Sequence, residues 1–111
     1  MIKNTNLRLK NKVAIVVGGG QRIGETIGNG RAVSITYAKQ GAKVVVVDNN
    51  LDAAQETVHK IKENGGIGFA YQADVVVETE IAALINYVRL NFGQIDILHN
   101  NVGISIAGGD A

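Results

Sequence analysis

The chain has 111 residues, 46% of them hydrophobic, with no cysteine, no proline and a formal net charge of +1. Those figures allow one domain with a real core, over residues 1–111, and exclude disulfides and thiolate metal sites. Near-neutral charge and 5% aromatic content argue against a nucleic-acid surface, and no apolar run approaches the ~20 residues that span a bilayer.

Lys3, Arg8, Lys10, Lys12 and Arg22 precede the first acid, Glu25. This basic arm reads as solvated chain ahead of the first strand, with a nearby phosphate as the alternative. Val13–Val17 is a continuous apolar run, as expected of a strand buried on both faces in a parallel sheet. It stops at Gly18-Gly19-Gly20. A polar stretch then leads to Gly28-Asn29-Gly30 and a helix-like segment from about Asn29 to Gln40, closed by Gly41.

The second strand, Lys43–Val47, ends at Asp48. Asn49 or Asn50 can cap the helix that follows, from about Leu51 to Asn64. Its Leu51, Ala54, Val58 and Ile61 share one face, and Gly65-Gly66 ends it. Gly68–Gln72 is the third strand. The third helix runs from about Thr79 to Asn91, with an apolar stripe of Ile81, Leu84, Ile85, Val88 and Phe92 and a stop at Gly93. Ile95–His99 is the fourth strand. The alternation βαβαβαβ, with links long enough for right-handed crossovers, predicts an α/β fold. The expected architecture is a parallel sheet of Rossmann type, strand order 3-2-1-4, forming part of a doubly wound fold. Such a sheet leaves the fourth strand as an edge, which points to missing partner strands.

Strand, glycine-rich turn, helix, strand, acid is the layout of a dinucleotide site. Helix-start amides attract an anion, and glycine lets a diphosphate approach closely. Two registers compete. The shorter uses Gly18 and Gly24; the longer uses Gly18, Gly28 and Gly30. The shorter would run a helix through Gly28 and Gly30, at about 1 kcal/mol per glycine. The longer is preferred, and Gln21–Ile27 becomes a loop insertion beside the phosphate site. Asp48 lies where a carboxylate can accept hydrogen bonds from both ribose hydroxyls of adenosine and repel a 2′-phosphate. No Arg or Lys follows it, which favours NAD over NADP. The competing role for Asp48 is to cap the next helix.

With the fourth strand, a family resemblance emerges. Asp96-Ile97-Leu98-His99-Asn100-Asn101-Val102-Gly103 resembles the Asn-Asn-Ala-Gly element of the short-chain dehydrogenases/reductases. Gln72-Ala73-Asp74-Val75, Gly41-Ala42-Lys43-Val44 and Phe92-Gly93-Gln94-Ile95-Asp96 resemble other family phrases. The likeness extends from about Leu9 to Ile104. It implies that Gly18, Gly28, Asn29 and Gly30 line the diphosphate turn and that Asp48 holds the ribose. Asp74 and Val75 would border adenine, and Asn100, Asn101, Val102 and Gly103 would lie along the centre of the cofactor. The chain departs from the family pattern at Val17, where threonine is usual, at Val102, where alanine is usual, and in its longer glycine loop.

The resemblance further implies hydride exchange between NAD and a secondary alcohol or ketone. A full-length form would be a cytoplasmic homo-oligomer acting on a small-molecule substrate. The family's catalytic serine, Tyr-x-x-x-Lys pair and asparagine would lie beyond the fourth strand. Here Tyr37, Tyr71 and Tyr87 are followed four residues on by Gly41, Val75 and Asn91, and Ser105 is too early to be the family serine. The chain alone is therefore expected to lack catalytic residues, to show no dehydrogenase activity and to bind NAD weakly. The alternatives are a non-catalytic nucleotide-binding module and a truncated remnant. Among the remaining candidates, His59 is expected in solvent and His99 bonded to backbone, with an approach to the cofactor as its alternative. Arg22 and Arg31 could touch phosphate, though surface solvation is the expectation for each, and no His, Asp and Glu spacing makes a metal site.

Overall fold

A computed structural model describes residues 7–18 and 29–100. Chain order is β1 (Val13–Val17), α1 (Asn29–Lys39), β2 (Lys43–Asp48), α2 (Leu51–Glu63), β3 (Ile67–Gln72), α3 (Glu78–Phe92) and β4 (Ile97–Asn100). The four strands form one parallel sheet in the order β3-β2-β1-β4. This is the expected α/β topology.

The sheet explains why β1 and β2 are apolar throughout. Val13, Ile15, Val17, Val45 and Val47 pack with Ile81, Leu84 and Val88 of α3. The alternate residues Ala14, Val16, Val44 and Val46 pack on the opposite face with Ala38 of α1 and Ala54, Val58 and Ile61 of α2. A strand covered on both sides cannot afford the polar half of an alternating pattern.

Boundaries shift from the sequence expectation where a side chain intervenes. Asp96 Oδ2 accepts the Val13 N–H at 2.8 Å, and the Asp96 N–H donates to the Val13 carbonyl at 2.9 Å. This reciprocal pair closes the start of β1, and β4 begins only at Ile97. On α2 the buried face is Ala54, Thr57, Val58 and Ile61, so a threonine joins the apolar stripe while Leu51 is only half-buried. Asn50 is the N-cap, its side chain accepting the Ala53 N–H at 3.1 Å. The positive-φ glycines Gly41, Gly65 and Gly93 follow the three helices.

Candidate nucleotide site

Strand order reverses between β1 and β4, so the carboxyl ends of the strands open on a crevice there. Gly18 stands at its edge with φ +77, a left-handed conformation that costs a side-chain-bearing residue roughly 1–2 kcal/mol. Its N–H donates to the Val47 carbonyl at 2.7 Å and carries the β1–β2 ladder one residue further. Because Val17 pairs with Val47, Gly18 lies opposite Asp48.

Helix α1 is described from Asn29 to Lys39. The first amides of any helix lack intrahelical acceptors and carry the positive end of its dipole. The first turn of α1 holds no acid, whereas α2 has Asp52 and α3 has Glu78 and Glu80 in theirs. Gly30 is buried in that turn, and its carbonyl accepts the Ser34 hydroxyl at 2.7 Å. Gly28 lies outside the described residues, as do Gln21–Ile27 and Arg22; of Asn29, only the backbone is described.

Asp48 is 3% exposed at the end of β2. Its Oδ1 accepts the Asn50 N–H at 2.9 Å, and its carbonyl accepts the Ala73 N–H at 3.1 Å. The cap of α2 is thus Asn50, and Asp48 orders the turn that presents the cap. Gln72, the register partner of Asp48 on β3, donates from Nε2 to the Asn49 carbonyl at 3.2 Å. The β2–α2 turn is held from both sides.

Asp74 follows β3. Its Oδ1 accepts the Val76 N–H at 3.1 Å, and its own N–H donates to Glu80 Oε1 at 2.7 Å. Val75 is 8% exposed, with its side chain in the α3-side core. Only the backbone of Val75 is left to border an adenine. Asn100 ends β4 opposite Val17 and is half-buried. Asn101, Val102 and Gly103 lie outside the described residues.

The other candidates separate cleanly. His59 is on the surface, with Nε2 3.2 Å from Glu63 Oε2. His99 faces α1, its ring edge-on to Tyr37 with centroids 6.3 Å apart. Arg31 does not lie on the open surface. Its Nε donates to Thr57 Oγ1 at 2.9 Å and its Nη2 to Glu56 Oε1 at 2.7 Å, leaving the side chain 12% exposed. Sequence reasoning put this arginine on the surface and missed the contacts of Gln72, Glu80 and Ser34. Only the Gly30–Ser34 pair, four residues apart, carries a local signal. Among the described residues no cluster of His, Asp and Glu is placed to hold a metal, and no helix is long and apolar enough to cross a membrane.

Residues 12–111 match the short chain dehydrogenase family. The chain is 43% identical over 103 residues to 7α-hydroxysteroid dehydrogenase of Escherichia coli K12, aligning 93% of this chain with 38% of that protein. It is 38% identical over 100 residues to the short-chain dehydrogenase/reductase homolog YusS of Bacillus subtilis, aligning 89% of this chain with 86% of that one. A solved 7α-hydroxysteroid dehydrogenase, complexed with NADH and 7-oxo glycochenodeoxycholic acid, superposes with a TM-score of 0.73 at 41% identity, covering 88% of this chain and 36% of that one. The chain thus spans less than half the length of the hydroxysteroid dehydrogenases that it matches. Parallel order 3-2-1-4 agrees with these likenesses, and the match over residues 12–111 shows that the chain belongs to the short chain dehydrogenase family.

Proposed function

We propose that this chain is a single, partial dinucleotide-binding domain, the NAD-holding part of an oxidoreductase acting on a secondary alcohol or ketone. One observation carries the reading. Gly18 and Asp48 sit side by side at the carboxyl ends of β1 and β2, and the first described turn of α1 carries no acid. The chemistry fits a dinucleotide: a turn without a Cβ and helix-start amides for the diphosphate, and a carboxylate for the ribose.

In this reading Gly18, Gly28, Asn29 and Gly30 hold the diphosphate. Asp48 accepts from the ribose hydroxyls and, being anionic, disfavours a 2′-phosphate, so NAD is preferred to NADP. Asp74 and the Val75 backbone border adenine. Asn100, Asn101, Val102 and Gly103 carry the central part. Nicotinamide, when bound, supplies the hydride acceptor. The described residues provide binding and orientation; proton transfer to or from the substrate oxygen falls to groups outside them. The working form is a cytoplasmic homo-oligomer.

The test is expression of the whole reading frame, including whatever follows Ala111, with NAD and a panel of secondary alcohols that includes a 7α-hydroxysteroid. NADH absorbance at the expense of one of them supports the enzyme. A second reading, a nucleotide-binding module without turnover, is favoured by the match over 86% of YusS. NAD binding with no turnover of any alcohol would select it, and absence of NAD binding would contradict both.

A further inference from the structure

The guanidinium of Arg31 is out of place for a solvated cation. It sits in the first turn of α1, one residue after Gly30, yet its side chain runs sideways to α2. There it meets the buried Thr57 hydroxyl at 2.9 Å, Glu56 Oε1 at 2.7 Å and, at 3.5 Å, the Ala53 carbonyl. All three acceptors lie in the first half of α2. That helix starts two residues after Asn49, on the turn that Asp48 and Gln72 brace. The arginine therefore starts in the first described turn of α1 and ends on the helix that follows the Asp48 turn.

On the reading proposed above, we infer that Arg31 is a positioning residue that sets the diphosphate-facing start of α1 against the Asp48 turn. Its charge is used on Glu56 and Thr57 rather than on the ligand. A planar five-donor fork can satisfy a hydroxyl and a carboxylate at once, which lysine cannot do. A ligand bound at both places depends on their separation, and a misplacement of about 1 Å can be costly. A ligand that depends chiefly on the ribose and adenine end does not feel it.

The test uses the 111-residue chain, with NAD and AMP as probes. Arg31→Ala is expected to weaken NAD about tenfold while changing AMP less than about twofold. Arg31→Lys should fall between. Glu56→Gln, a change at an exposed position that keeps the fold, should weaken NAD in the same direction by a smaller factor. Equal losses for NAD and AMP, or no loss, would overturn the inference. Tighter NAD binding in Glu56→Gln would also overturn it, because Arg31 would then be an anion ligand that Glu56 holds back. Hydrogen exchange gives a readout free of ligand: first-turn amides of α1 should exchange about tenfold faster in Arg31→Ala, with α3 unchanged. If the unaltered chain binds neither probe, the cofactor reading fails, and exchange alone decides whether Arg31 positions α1.

Discussion

Gly18 donates its N–H to the Val47 carbonyl at 2.7 Å, and this bond sets the glycine opposite Asp48 at the mouth of the sheet. The left-handed φ of +77 at Gly18 lets the chain turn there without breaking the ladder. Gly18→Ala should cost about 1–2 kcal/mol of stability from backbone strain, read as a lowered urea midpoint with unchanged slope. An unchanged midpoint would show that the turn relaxes without cost.

In the proposed reading, cofactor choice rests on Asp48. Its Oδ1 already accepts from Asn50, so the substitution must keep an acceptor there. Asp48→Asn should retain the turn, weaken NAD about tenfold and narrow the preference over NADP. Calorimetric titration with both nucleotides measures this. Equal affinity of the unaltered chain for the two would remove the role given to Asp48.

The sheet was largely legible before any coordinates. Two continuous valine-rich runs, two helical stripes and glycine stops point to one topology, because burial on both faces leaves a strong sequence trace. What escaped depends on contacts between distant residues. Thr57 reads as polar, yet it is fully buried because Arg31, 26 positions away, donates to its hydroxyl. Ile95 reads as strand, but the Asp96 carboxylate bonds to Val13 and delays β4 to Ile97. At the site, glycine and acid were visible as residue types. The bracing of Asp48 by Asn50, and of Asn49 by Gln72, appears only once β2 and β3 are in register.

Two exposed carboxylates predict the acid limb of stability. Asp96 is held below the ordinary range first by the Val13 N–H and then by the Gln94 amide. Glu56 is held down first by the hydrogen bond from Arg31 and then by its charge. A carboxyl with a lowered folded pKa stabilises fully above its unfolded value and loses that contribution as pH falls through the folded one. Unfolding free energy should therefore decline as pH drops below about 4. Asp96→Asn combined with Glu56→Gln should flatten that decline; an unchanged slope in the double variant would assign it to other groups.

Gly68 tests the packing of α2 on β3. A Cβ at this position would lie 3.1 Å from Ile61 Cδ1 and 3.3 Å from Ile61 Cγ2. Gly68→Ala should destabilise by about 1 kcal/mol through overpacking. Ile61→Val removes Cδ1 and should relieve the crowding, so the two changes together should cost less than their sum. Strict additivity in denaturation would show that the helix simply moves away.

The most direct test of the account is a titration of isotopically labelled chain with NAD, following backbone amides by nuclear magnetic resonance. The largest shifts should fall on Gly18, Gly30 and the turn from Asp48 to Asn50, with smaller ones at Asp74 and Asn100. Shifts confined to the opposite end of the sheet, around Asn11, Gly41 and Asp96, or no shifts at saturating NAD, would contradict it.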